Sequence, residues 1–182
     1  MAEMDKAKTL EEKRAALIIK YRGFNVDSVE KAEEKLVYRL SRGDQKYIMH
    51  VLMSQSTIGI SYIRDLKEHV DAEEVQGGII VGDGKYTYSA RSSAPEMSIE
   101  LIPPSLPAFD IFEHDLVPRH EIVGDEEKKD LAKRYHAEPF QFPWIKVTDP
   151  IAIILGARPG DVVRIIQKSE TAGKYVTYRY VV

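Results

Sequence analysis

Five histidines, no cysteine and a scatter of carboxylates bound the chemistry open to this chain of 182 residues. Without thiols there is no disulfide framework, no thiol nucleophile and no zinc site built on thiolates. His114, Asp115, His120 and Glu121 carry metal-ligand groups. Pro118 lies between the two histidines and keeps them off one face of a regular helix. They are expected to hydrogen-bond a bend, and no metal and no cofactor is expected. Gly78 to Lys85 imitates a phosphate loop, but Ile79 stands where glycine is required and Tyr86 where Ser or Thr is required. A tight turn between two strands is expected there instead. Arg42-Gly43-Asp44 reads as hairpin turn chemistry rather than an adhesion tripeptide. Lys128, Lys129, Lys133 and Arg134 are offset by Glu126, Glu127 and Asp130, which describes a solvated helix face. The nucleophile elbow Gly-x-Ser-x-Gly is missing.

The elements that must hold these residues divide at proline. Five of the nine prolines fall between Pro95 and Pro118, and Pro103-Pro104-Ser105-Leu106-Pro107 is expected to be extended and outside regular structure. The expected organisation is an N-terminal domain over 1–102, a proline-rich linker over 103–109 and a C-terminal domain over 110–182. In the first domain, Thr9-Leu10-Glu11-Glu12 is a capping box that starts a helix, with Leu10, Leu17, Ile18 and Tyr21 on one face and Gly23 as C-terminal cap. Lys35 to Leu40 and Lys46 to Met53 read as a hairpin. Tyr62, Ile63, Leu66 and Val70 are spaced for an amphipathic helix. Gly78-Ile79-Ile80-Val81 reads as a central strand, Lys85 to Tyr88 as the next one, and Ser98 to Ile102 as the last. The order predicts an α/β domain with a mixed sheet flanked by helices.

In the second domain, Asp125-Glu126-Glu127 opens a helix with acids at its positive end, and Leu131, Ala132 and Tyr135 form its apolar face. Trp144 to Val147 reads as a short strand. Asp149 and Pro150 start a second helix that Gly156 ends. Asp161 to Gln167 and Lys174 to Val181 are strands joined by a turn over 169–173. The prediction is a small α+β domain with two short helices on an antiparallel sheet.

Lys plus Arg is 26 and Asp plus Glu 29, a net charge of −3. Residues 1–108 carry 15 basic and 17 acidic groups, and 109–182 carry 11 and 12. A protein that binds nucleic acid strongly by itself is usually basic. The acidic, polar first six residues are not a secretory signal, and the longest apolar runs fall far short of the ~20 residues needed to cross a bilayer. A cytoplasmic protein without membrane contact or small-molecule ligand is expected.

From Asp110 to Val182 a series of motifs runs in order. It begins with His114-Asp115-Leu116-Val117-Pro118-Arg119-His120, then Glu126-Glu127-Lys128-Lys129 with Arg134-Tyr135, then Pro143-Trp144-Ile145-Lys146 and Thr148-Asp149-Pro150. It continues through Leu155-Gly156, Pro159-Gly160-Asp161-Val162-Val163-Arg164-Ile165-Ile166 and Lys168-Ser169 to Thr171-Ala172-Gly173 and Tyr178-Arg179-Tyr180. This half is similar to the small archaeal RNA polymerase subunit that matches the C-terminal domain of the fifth subunit of eukaryotic nuclear RNA polymerases. The N-terminal half, from Ile58-Gly59-Ile60 through Gly77-Gly78-Ile79-Ile80-Val81 to Ser89-Ala90, resembles the jaw domain of the eukaryotic subunit, a domain similar in fold to restriction endonucleases.

The resemblance implies a non-catalytic subunit of DNA-dependent RNA polymerase, active in transcription. It implies docking on the largest subunit and its neighbours through the C-terminal domain, and a jaw near downstream DNA. Candidate partner-binding residues are His114, Pro118, His120, Trp144, Arg164, Lys168, Tyr178 and Arg179. Aromatic anchors and bidentate arginines are the side chains that interfaces favour. Arg42, Lys46 and Lys85 are candidates to lie near DNA, which would be met only indirectly. Two alternatives remain: a Mg²⁺-dependent nuclease and a free-standing DNA-associated adaptor. A nuclease needs an Asp before a Glu-x-Lys strand. Asp44 supplies the first, but Tyr47 to Met53 contains neither acid nor lysine, so ligands would have to come from positions such as Glu30 or Glu34.

Overall fold

The computed structural model describes residues 9–32, 34–169 and 173–182. The polar residues 1–8 and the tip of the expected 169–173 turn lie outside them. The chain divides into two compact units between Phe109 and Asp110. Among the described residues no helix is long and apolar enough to cross a membrane.

In the first unit, helix α1 (Leu10–Arg22) starts at the expected capping box: Glu12 N–H donates to Thr9 Oγ1 at 3.3 Å and Thr9 N–H to Glu12 Oε2 at 3.1 Å. Gly23, at φ 67°, ends it. The expected face is only partly right. Leu17 and Ile18 are buried, but Leu10 is exposed, while Glu11, Arg14 and Arg22 are buried. The arginines can be buried because each has an acid: Arg14 reaches Asp83 at 2.8 Å, and Arg22 grips Glu100 with two bonds of 2.6 and 2.7 Å.

Strands β1 (Asn25–Lys31), β2 (Lys35–Arg42) and β3 (Gln45–Leu52) form an antiparallel meander. The hairpin of β2 and β3 was expected and β1 was not. A two-residue strand β4 (Thr57–Ile58) leads into α2 (Ile60–Ala72), which crosses back to β5 (Gly77–Gly82), parallel to β3. Strand β6 (Lys85–Tyr86) does not return beside β5, as the tight-turn reading implies. It pairs with β4 in a separate two-stranded sheet. Tyr88, expected in that strand, begins helix α3 (Tyr88–Ser93) instead. Strand β7 (Ile99–Ile102) completes the main sheet in the order β1-β2-β3-β5-β7, with β7 parallel to β5.

Side-chain alternation sorts this mixed sheet into two buried faces. Ile48 and Ile80 pack with Ile63, Leu66 and Val70 of α2. Met49, Val51, Ile79 and Val81 point the other way and are equally buried. Helices α1 and α2 both pack on β3 and β5.

The proline segment is not extended. Leu106 N–H donates to Pro103 O at 3.0 Å, closing a turn with Pro104 at the position proline favours. Leu106 is buried, and its carbonyl accepts from Arg14 Nε at 2.7 Å.

In the second unit, strand β8 (Arg119–Ile122) precedes α4 (Asp125–Tyr135), β9 (Trp144–Ile145), α5 (Pro150–Leu155), β10 (Val162–Ser169) and β11 (Gly173–Val181). The sheet order is β8-β10-β11-β9. It is not wholly antiparallel as expected, because β9 runs parallel to β11. Helix α4 opens at the expected acids, and α5 begins and ends where its caps predict: Asp149 accepts from Ile151 N–H at 2.8 Å, and Gly156 stops it at φ 72°. The helices do not share one face. Ala152 and Ala157 pack on Val163, Ile165 and Val181, whereas Leu131 of α4 packs with Val123 and Val162, near Phe142, Tyr178 and Tyr180.

Candidate assembly surface

The face of the C-terminal sheet nearest α4 gathers aromatic side chains from four elements. Tyr178 and Tyr180 alternate onto it from β11, and Trp144 joins as the ladder partner of Tyr180. A 3-10 turn, Pro139–Gln141, brings Phe140 and Phe142 alongside, and the last turn of α4 adds Tyr135. Tyr135, Phe142 and Tyr178 form a triangle with ring centroids 5.8 to 6.0 Å apart, in edge-on and tilted arrangements, the spacing at which aromatic quadrupoles attract. The indole of Trp144 donates to Phe140 O at 3.2 Å, which fixes its plane. Trp144 nevertheless remains 67% exposed, and Phe140 and Tyr135 are exposed as well. Burial, with Tyr135 and Glu127 nearby, raises the pKa of the Tyr178 phenol, so it stays a neutral donor. The result is a rigid, water-facing aromatic surface, the feature that partner proteins bury at the centre of an interface.

The charged border of this face is held by Arg164, opposite Tyr178 in the ladder. Its guanidinium meets Glu121 Oε2 at 2.5 Å and Glu127 Oε1 at 2.6 Å, tying β8 to α4. The Arg164 hydrogen bonds, with Arg119 contributing, hold the Glu121 carboxyl below its usual range. Arg164 is thus engaged within the domain.

The other sequence candidates lie elsewhere. Arg179 alternates onto the opposite face of β11, opposite Val163. His120 is buried on β8 opposite Ile165, with Nδ1–H donating to Pro118 O at 2.7 Å. Burial lowers its pKa. His114 is exposed, and its Nδ1 accepts from Leu116 N–H at 3.2 Å. Both histidines hold the bend before β8, and neither meets the aromatic surface. The Lys168 side chain lies outside the described residues. Tyr135, Phe140 and Phe142 were missed as site residues; their only signal in sequence is aromatic character in a charged stretch.

The three basic candidates of the first unit do not form one patch. Arg42 and Lys46 sit at the hairpin end of β2 and β3, with the Arg42 guanidinium over Phe24 and Tyr47 at 5.4 and 6.0 Å. Lys85 lies on β6, beyond the far end of β3. The carboxylates that a nuclease would need also stay apart. Asp44 is on the exposed hairpin turn, Glu30 pairs with Arg39 at 2.5 Å, and Glu34 accepts from Gln55 at 3.2 Å.

Residues 109–181 match the family described as RNA polymerase Rpb5, C-terminal domain, and residues 7–104 match the family described as Restriction endonuclease. The chain is 54% identical over 74 residues to DNA-directed RNA polymerase subunit Rpo5 of Thermococcus celer, covering 41% of this chain and 90% of that protein. It is 37% identical over 143 residues to DNA-directed RNA polymerases I, II, and III subunit RPABC1 of Caenorhabditis elegans, covering 76% of this chain and 67% of that subunit. The Caenorhabditis briggsae protein of the same description is 39% identical over 139 residues, and the chain spans 66% of its length. A short archaeal relative thus accounts for the unit that bears the aromatic surface, while the longer eukaryotic relatives extend into the restriction-endonuclease-like unit. The chain belongs to the Rpo5/Rpb5 family of DNA-directed RNA polymerase subunits.

Proposed function

We propose that this protein docks on the largest subunit of the polymerase through the α4, β9 and β11 face of its C-terminal unit. Its N-terminal unit then serves as a jaw beside downstream DNA and performs no catalysis of its own. The exposed aromatic cluster around Trp144 is the observation that carries the docking reading, because monomeric surfaces rarely leave such a patch uncovered. A standard interface buries on the order of 800 Å² per partner, and assembly would take place in the cytoplasm. Affinity purification of the tagged chain from cells that express it is expected to recover large polymerase subunits in equal amount. Recovery without them would favour the free-standing adaptor.

The separation of Asp44, Glu30 and Glu34 argues against the nuclease reading. Contact with DNA would come from positioning by the enzyme, since 15 basic and 17 acidic groups leave the first 108 residues at −2. In a gel shift with Mg²⁺ present, the free protein is expected to bind duplex DNA weakly, to release it as salt rises, and to leave it uncut. Tight, salt-resistant binding or cleavage would contradict the reading.

A further inference from the structure

A second cluster of chemistry lies on the α2 face of the N-terminal sheet. His50 sits on β3 between Val37 of β2 and Ile80 of β5, on the same side as Ile48 and Leu52, and is fully buried. Asp65 and His69, one turn apart on α2, meet it. His69 Nδ1 lies 3.1 Å from His50 Nε2, and the two rings are edge-on with centroids 5.1 Å apart. Asp65 Oδ2 lies 3.5 Å from His50 Nδ1. That nitrogen nonetheless makes no hydrogen bond and is shielded from solvent, an unsatisfied state for a buried polar group.

The His50 Nδ1 and an Asp65 carboxylate oxygen face each other without a hydrogen bond between them. A cation seated between them would engage both groups. One donor atom from each of His50, Asp65 and His69 falls within 4.8 Å of the others. Ligands about 2.0–2.1 Å from a tetrahedral ion lie roughly 3.4 Å apart, close to the His50–Asp65 separation. The Asp65 side chain is partly open to solvent and provides an entry path.

We propose that His50, Asp65 and His69 form a binding site for a divalent transition-metal ion of the zinc class, held by two imidazoles and one carboxylate. Two nitrogen donors select such an ion over Mg²⁺ or Ca²⁺, which prefer all-oxygen shells. The Lys35 ammonium, paired with Asp65 Oδ2, is the internal competitor. An ion replaces it as the counter-charge of Asp65, and its flexible stem turns toward solvent.

The test uses the full chain, stripped of metal and titrated with Co²⁺, whose visible d–d bands report a low-coordinate nitrogen and oxygen site. One equivalent is expected to bind with intense bands, Zn²⁺ to displace it, and Zn²⁺ to raise the unfolding temperature by mass action. His69→Ala and Asp65→Asn, at half-buried positions, are expected to weaken binding by roughly 10- to 100-fold or more. Lys35→Met is expected to tighten it, a gain that a purely structural histidine pair would not show. A control with His114→Ala and His136→Ala should leave it unchanged. Absence of the bands, binding that survives His69→Ala and Asp65→Asn, or binding that fails in the control would overturn the site.

Discussion

Replacing Trp144 by alanine is expected to lower the affinity of the protein for the rest of the polymerase by about 2 kcal/mol or more, roughly thirtyfold. The unfolding midpoint should hardly move. The indole is two-thirds exposed, so its removal opens no core cavity, and its one hydrogen bond goes to a backbone carbonyl. Its affinity loss comes from the partner: a flat, pre-oriented aromatic surface loses the water-excluding contact at its centre. Titration of the labelled protein into polymerase depleted of it measures the effect. Arg179→Ala, on the opposite face of β11, is the internal comparison and should change affinity by less than about 0.5 kcal/mol, as surface changes outside an interface do. Equal losses from both substitutions would move the docking surface to the other side of the sheet.

The largest expected effect on stability lies in the first unit. A Cβ added at Gly78 would fall 2.6 Å from Leu66 Cδ2 and 2.8 Å from its Cγ. Leu66 is completely buried. Gly78→Ala is therefore expected to cost about 1–3 kcal/mol by overpacking, and Leu66→Ala alone about 2–5 kcal/mol by leaving a cavity. Combined, each change relieves part of the other, so urea unfolding of the double variant should show a cost below the sum by roughly 0.5–3 kcal/mol. Strict additivity would mean that α2 and β5 adjust independently and that this close approach does not set their spacing.

Elements with strong local rules were legible before the structure. The Thr9 and Asp149 caps, the β2–β3 hairpin, the central strand around Ile80 and the helix of Ile63, Leu66 and Val70 all stand where their residues predict. Strand β1, Asn25-Val26-Asp27-Ser28-Val29-Glu30-Lys31, was not legible. Polar residues of low strand propensity make it look like a loop, and only pairing with β2 recruits it as an edge. That same polarity protects the edge from further pairing. The proline turn escaped for a tertiary reason, since its anchor Arg14 lies 92 residues away.

The sites follow the same division. Trp144 and Tyr178 were legible as anchors from residue type, but the ring triangle with Tyr135 and Phe142 depends on a sheet register and a 3-10 turn. Asp65 and His69 share a helical spacing that the sequence displays. His50 joins them only through a parallel crossover that sets β3 under α2.

The Arg14 tether has a consequence for synthesis on the ribosome. One hydrogen bond spans from the first helix to the carbonyl of Leu106, and the last strand of the sheet ends only four residues before Leu106, at Ile102. This contact therefore forms only when the chain of the first unit is nearly finished. Helix α1 emerges first, yet its guanidinium waits for Asp83 and then for Leu106 before both of its acceptors are in place. Folding of this unit is then a late, all-at-once event in translation, completed as the proline turn clears the exit tunnel. A pause in elongation shortly after that turn would favour completion of the first unit before the second unit appears.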